Sequence, residues 1–280
     1  AAGQIMTSTA LSLIPISSPT YTPAVTLTPI TTFTPTSIPS SALGIGSTMI
    51  REKDGMVMVY VPAGEFQMGS NDGDRDEQPV HLVYLDAFWI DRTEVTNAMY
   101  AKCEAEGACN PPKIRSSYNR SSYYGNPTQT MSPIVNVSWS DANTFCMWVG
   151  AQLPSEAQWE KAARGSDGRT YPWGEGINKS KANYGRNVSD TTTVGSYLDG
   201  ASPYGALDMA GNVWEWVSDY YDEYYYLNSP LNNPSGPSLG EDRVLRGGSW
   251  EDLDSVLKSY NRSWNNPNIS GDRYGFRCVR

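Results

Sequence analysis

Carboxylates, aromatic hydroxyls and thiols make up most of the reactive material in this 280-residue chain, because it has a single histidine. Asp252 and Asp254 are spaced like a carboxylate pair for acid–base work. No neighbour in sequence would separate their pKa values, so a surface loop is expected there. His81 lies between Val80 and Leu82 in a strand-like run. One imidazole is poor material for a metal site or a triad, and a structural role is expected. Residues 70–79 are acidic but lack the spacing and the twelfth-position Glu of an EF-hand, so a solvated loop is predicted. Tyr220, Tyr221, Tyr224, Tyr225 and Tyr226 surround Asp222 and Glu223. Such a cluster can stack on sugars or receive an apolar tail, and packing within the domain is an equal alternative. The four cysteines are even in number, and Cys103 and Cys109 flank a Gly-containing loop that ends at Pro111-Pro112. Reduced, buried thiols are the other option, but disulfides fit the remaining extracellular signs.

The elements that must position these groups follow from pattern. Strands are predicted at 56–61, 64–69 and 80–89, the last by its alternation of apolar residues. Helices are predicted over 96–106, capped near Thr96, over 140–150, and over 155–164 with Ser155 as N-cap. From Gly165 onward Gly, Asn, Asp and aromatic residues dominate, which predicts long loops pinned by Trp and Tyr rather than regular elements.

Charge divides the chain. No charged residue precedes Arg51, and the net charge of −9 lies entirely beyond it. Residues 51–280 suit one large domain with a substantial core. An acidic balance without a basic patch argues against nucleic acid as a partner. There is no run of about 20 apolar residues, so no transmembrane segment is expected. The start at Ala1-Ala2-Gly3 fits a secreted protein after signal-peptide removal. Residues 1–50 form a separate Thr/Ser/Pro-rich tail, for which a flexible, O-glycosylated linker is the plain reading. Its hexads Tyr21-Thr22-Pro23, Leu27-Thr28-Pro29 and Phe33-Thr34-Pro35 argue for more. In an extended chain they place Tyr21, Leu27 and Phe33 on one face and threonines on the other. Residues 4–16, with Ile5, Leu11 and Leu13, are β-prone and could add as a donor strand to a sheet edge.

Longer blocks carry a resemblance. Met58–Gly69, Leu85–Asn97, Pro133–Trp139, Leu153–Gly165, Gly205–Trp216 and Arg243–Trp250, followed by Gly275-Phe276-Arg277-Cys278, occur in the order seen in the formylglycine-generating enzyme (sulfatase-modifying factor) family. The resemblance implies an α+β fold with little regular structure, related to C-type lectins. It implies a disulfide between Cys146 and Cys278. It implies a structural calcium ion at Asp208, Gly211, Val213 and Glu215, with side-chain oxygens from the first and last and backbone oxygens from the middle two. Asp and Glu supply the hard ligands calcium takes. A second calcium site of the family would begin at Asn183-Tyr184, with Asp190 as a candidate. The family's catalytic chemistry uses two cysteines and copper after the Gly-Gly-Ser-aromatic turn. By spacing those positions hold Asp252 and Leu257, which offer no thiolate for copper. Copper and formylglycine-generating activity are therefore not expected.

The Asn-x-Ser triplets at Asn119, Asn178, Asn187, Asn261 and Asn268 permit N-glycans, and Asn136 begins another within a probable core strand. The resulting expectation is a non-catalytic extracellular protein that self-associates through its tail, head to tail and possibly into filaments. The alternatives are a lectin-like binder of glycans or peptides and a divergent oxidoreductase on the same scaffold.

Overall fold

A computed structural model of the protein describes residues 43–280. Ile5, Leu11, Leu13, Tyr21, Leu27 and Phe33, and with them the expected donor segment, lie outside the described residues.

Three sheets and three helices make up the domain. In the first sheet β1 (Thr48–Ile50), β2 (Val57–Val61) and β5 (Phe88–Asp91) run antiparallel in the order β1-β2-β5. β1 belongs to this sheet, so the domain starts before the boundary expected at residue 51. The absence of charge up to Ile50 had assigned these residues to the tail. A second sheet is the hairpin of β3 (Gly64–Met68) and β4 (His81–Leu85). The single strand expected at 80–89 is thus two strands in two sheets. Alternation continues across Leu85–Phe88, so periodicity alone could not reveal the break. A tertiary contact makes it: the Asp86 backbone N–H donates to Asn233 Oδ1.

The largest sheet has the order β8-β7-β6-β9, from β6 (Trp214–Tyr220), β7 (Arg243–Arg246), β8 (Ser263–Asn265) and β9 (Tyr274–Phe276). Only the β6–β9 pair is parallel. This sheet corrects the expectation of loops alone after Gly165. β8 and β9 have three residues each, too few to show a period.

Helices α1 (Asn97–Ala105), α2 (Trp139–Trp148) and α3 (Glu156–Arg164) start where short polar side chains can cap them. Thr96 accepts from the Met99 N–H, Ser138 from Asp141 and Ser155 from Gln158. Asp141 and Gln158 return the bond to their caps, which makes both starts capping boxes. One part of the core gathers Tyr100, Phe145, Trp216 and Phe276 around a disulfide between Cys146 and Cys278. The other gathers Phe66, Val83, Trp159 and Tyr226. A second disulfide joins Cys103 to Cys109 at the end of α1, so the chain has no free thiol. Among the described residues no helix is long and apolar enough to cross a membrane.

Candidate functional site

The Asp208–Glu215 turn enters the middle of the large sheet. Asp208 and Asn212 have φ of +57° and +62°, a conformation Asx residues tolerate better than most. Gly211 is obligatory: at φ +79° a Cβ would sit 2.3 Å from the Asn183 carbonyl oxygen. Its N–H donates to the Gly247 carbonyl, and Trp250 N–H donates to the Asn212 carbonyl. The turn is therefore bonded to the Gly247–Trp250 turn along its length.

Glu215 is fully inside the protein. Arg277 grips it with two bonds of 2.7 Å, and Trp159 Nε1 donates to the same carboxylate at 2.8 Å. Arg277 also donates to the carbonyls of Asp91, Arg92 and Leu207. Two further acids share this space. Asp208 Oδ2 accepts from Gly195 N–H, and Glu94 Oε1 accepts from Asn212 Nδ2. Burial first, then the charges of Asp208 and Glu215, push the Glu94 carboxyl well above the usual carboxylate range. Burial raises Asp208 as well. Three acids thus face one guanidinium.

This excess of acid decides the fit of a cation. Among the described residues no three His, Cys, Asp or Glu side chains converge as a metal site, but the expected calcium set needs only two side chains. Charge favours it, since the buried acids outnumber the base and Glu94 Oε2 nearby has no partner, although Glu215 already accepts from Arg277 and Trp159 with both oxygens and Asp208 from Gly195. A hard divalent ion suits uncompensated buried carboxylates. Around the second expected site, Asn183 Oδ1 is also buried without a partner. Asp190 differs. Its carboxylate takes Ser117 Oγ, the N–H groups of Asn119 and Thr191, and Arg120, so it ties loops together.

The Ser249–Leu257 stretch holds no assembled chemistry. Asp252 Oδ2 accepts from both the N–H and Oγ of Ser249 and caps the turn. Leu257 is fully buried and packs against Gly248 and Gly211. Asp254 is exposed and bonds to Ser255 N–H, so Asp252 and Asp254 do not act on one point. The rim is polar: Glu251 bridges Arg186 and Arg273, and exposed Tyr118 lies 5.0 Å from Trp250.

Other expectations are redistributed. The tyrosine cluster splits: Tyr226 is buried, Tyr224 is exposed, and Tyr220 carries Arg243 on its ring. Residues 70–79 are only partly solvated, because Asp76 and Glu77 are buried. Tyr221 donates to Asp76 and Asn261 to Glu77. The sequence distance to these partners hid the burial. His81 packs 4.6 Å from the Tyr226 ring. Asn119, Asn178, Asn187 and Asn268 are exposed and Asn136 is buried. The Asn261 amide nitrogen, where a glycan would attach, is already bonded to Glu77. Sequence reasoning missed Glu94 and Arg277 as site residues. Arg277 did carry a signal, a charge set between the apolar Phe276 and Cys278, whereas Glu94 lies in a polar run, Asp91–Asn97, that gives none.

A family model described as the sulfatase-modifying factor enzyme 1-like domain matches residues 47–280. A formylglycine-generating enzyme from Streptomyces coelicolor is 36% identical over 279 residues, covering 79% of this chain and 88% of that protein. The serine/threonine-protein kinase Pkn1 of Chlamydia trachomatis is 42% identical over 236 residues, covering 80% of this chain. This chain spans only 38% of the length of that relative. Among solved structures, PvdO from Pseudomonas aeruginosa superposes with a TM-score of 0.72 at 29% identity, covering 85% of this chain and 99% of that one.

Proposed function

The chain belongs to the sulfatase-modifying factor family, and on that premise we propose that it is a non-catalytic, extracellular member acting as a structural and interaction module. The observation that carries this reading is Leu257. Where the family's chemistry needs a thiolate, an apolar side chain is fully buried against Gly248 and Gly211. Its companion position, Asp252, is engaged in holding the turn. The four cysteines are all in disulfides, so no thiolate remains to hold copper(I). Disulfides also favour an oxidising compartment.

Asp208 and Glu215, with backbone oxygens of Gly211 and Val213, would hold a calcium ion. The ion would cross-link the turn and offset the surplus of buried acid. Self-association is assigned to the tail, residues 1–47, whose sequence would place Tyr21, Leu27 and Phe33 on one face of an extended chain and threonines on the other. Burying Tyr21, Leu27 and Phe33 contributes roughly 1.5–3 kcal/mol each. That cannot order some forty residues at about 1–2 kcal/mol each, so the β-prone stretch at 4–16 must pair as well.

Purified protein loaded with copper and given a sulfatase-derived cysteine peptide should produce no formylglycine by mass spectrometry. Conversion of the peptide would refute the non-catalytic reading. Light scattering should give an assembly for the full chain and a monomer after deletion of residues 1–47. Assembly that survives the deletion would refute the role of the tail.

A further inference from the structure

We propose that the cleft between the Arg75–Glu77 turn and β8 binds carbohydrate, in the form of neutral, β-linked pyranose chains. The proposal goes beyond self-association and holds whether or not the chain assembles.

Trp264 lies in β8, an edge strand of the large sheet, and is 46% exposed. There it presents a large apolar face to solvent beside the cleft, continuous with the aromatic surface of Tyr221. Its inner face is already covered. Tyr221 stacks on it with centroids 4.0 Å apart and planes 14° from parallel. The column continues inward: the Arg262 guanidinium lies 5.1 Å from the Tyr221 ring and 4.4 Å from the Tyr226 ring. Arg262 is buried and held at two points by Glu156. Tyr221 is further fixed by its hydroxyl, which donates to Asp76. Trp264 is thus the outermost layer of a stack rooted in buried ion pairs. A platform held in this way loses little freedom when a ligand lands on it.

The space beside the stack is a cavity of about 440 Å³ lined by Asp74, Arg75, Tyr221, Glu223, Arg262 and Trp264. A second cavity of about 310 Å³ shares Arg75 and Glu223 and adds Tyr224 and Leu227. Tyr224 and Leu227 are exposed, and Arg75 lies 5.1 Å from the Tyr224 ring and 3.7 Å from Glu223. The groove therefore alternates aromatic surface with carboxylates and the exposed Arg75 guanidinium.

A pyranose ring matches that alternation. Its flat C–H face packs on an aromatic ring, and its equatorial hydroxyls point outward as donors and acceptors. Asp74 and Glu223 can accept from hydroxyls, and Arg75 can donate to them. A purely apolar ligand would leave those groups without partners. A phosphate or acidic sugar would face Asp74, Asp76 and Glu223 on a chain of net charge −9. A proline-rich peptide also lies on aromatic rings, and one rich in Thr, like the N-terminal tail of this chain, would bring hydroxyls too, so it is the competing outcome of the test below. β-1,4 Linkage between equatorial oxygens keeps successive rings extended, as two adjoining cavities require.

The test is calorimetric titration of the full chain with cellohexaose, mannohexaose and xylohexaose, all β-1,4-linked through equatorial oxygens. At least one should bind. Trp264→Ala should weaken that binding by about tenfold or more, the loss of one good stacking contact. Trp264→Tyr, which keeps a ring, should restore most of it. Glu223→Gln should weaken it without altering the melting temperature. Melting curves of the Trp264 variants separate a folding defect, from the lost stack on Tyr221, from lost binding. The proposal is overturned if none of the three sugars binds, or if Trp264→Ala binds as the wild type does. It is overturned equally if a proline-rich peptide occupies the cleft and the sugars do not.

Discussion

Two buried charge networks lie on either side of Trp159, and they are balanced differently. On one side its Nε1 donates to Glu215, in the cluster of Glu94, Asp208, Glu215 and Arg277. On the other, Arg246 lies 5.3 Å from its ring, in a network where Arg164, Arg246 and Arg262 surround Glu156 and Glu160. The first has three acids to one base; the second gives its two ion-paired acids three bases, with the buried Asp219 beside Glu156 as a third acid outside the ion pairs. Burial works against ionising Glu156, yet Arg262 and Arg246 hold it below the usual carboxylate range. Glu94, facing Asp208 and Glu215, is pushed the other way. A buried network with enough counter-charge is complete as protein. One with an acid surplus needs a proton or a cation, and there the family resemblance and the physics point to the same few residues.

The sharpest test removes the single base of the acid-rich side. Arg277→Met leaves three acids with no cation among them and should destabilise the domain by about 3–5 kcal/mol, read from urea unfolding. Arg246→Met should cost less, because Glu160 keeps Arg164 and Glu156 keeps Arg262. Equal losses would break the comparison.

A smaller effect is expected from calcium. At a hundred times its dissociation constant an ion bound only by the native state stabilises by about 2.7 kcal/mol. Melting temperature should therefore rise with calcium in the wild type and not in Asp208→Asn. A wild type indifferent to both calcium and chelator would remove the ion from the account.

The smallest effect per step concerns pH on the base-rich side. Burial, then the charge of Glu156, raises the buried Asp219 carboxyl to about 7. Between its ordinary pKa near 4 and 7 the folded state holds a proton that the unfolded state has released. Stability from this group is therefore greatest at low pH and is lost as pH rises through about 4 to 7, by on the order of 1 kcal/mol per unit. Asp219→Asn should flatten that slope in unfolding curves collected across the range.

Local rules made much of the scaffold legible. Thr96 and Ser155 could be read as helix caps because capping is decided within four residues. β2 and β3 could be read because each is a short run beside a turn. β4 and β5 could not be separated, since the break at Asp86 depends on Asn233, far along the chain. The large sheet was hidden for the same reason: Glu215 is flanked by Arg246 on β7 and Gly275 on β9, pairings with no local signature. At the site, Asp208 and Glu215 were legible only through the resemblance. Glu94 and Arg277 were not, because they lie far apart in sequence and only the fold brings them together. The Trp264 platform was half legible. Its tyrosine partner stood out in the 220–226 cluster, but the indole sits some forty residues away.

The bridge between Cys146 and Cys278 has a mechanical meaning. It spans 132 residues and lies two residues from Arg280, where Val279 and Arg280 are bonded to Gln152 and Trp89. Tension applied between the two ends of the chain would pass through the sulfur atoms and bypass everything from α2 to β9. At about 3.4 Å per residue, roughly 450 Å of polypeptide could never be drawn out. Only the residues before Cys146 could unravel under load. A string of such domains pulled end to end would yield only the residues outside the bridge, while the acid cluster's Asp208 and Glu215, Arg277 and the Trp264 platform stayed inside the covalent loop.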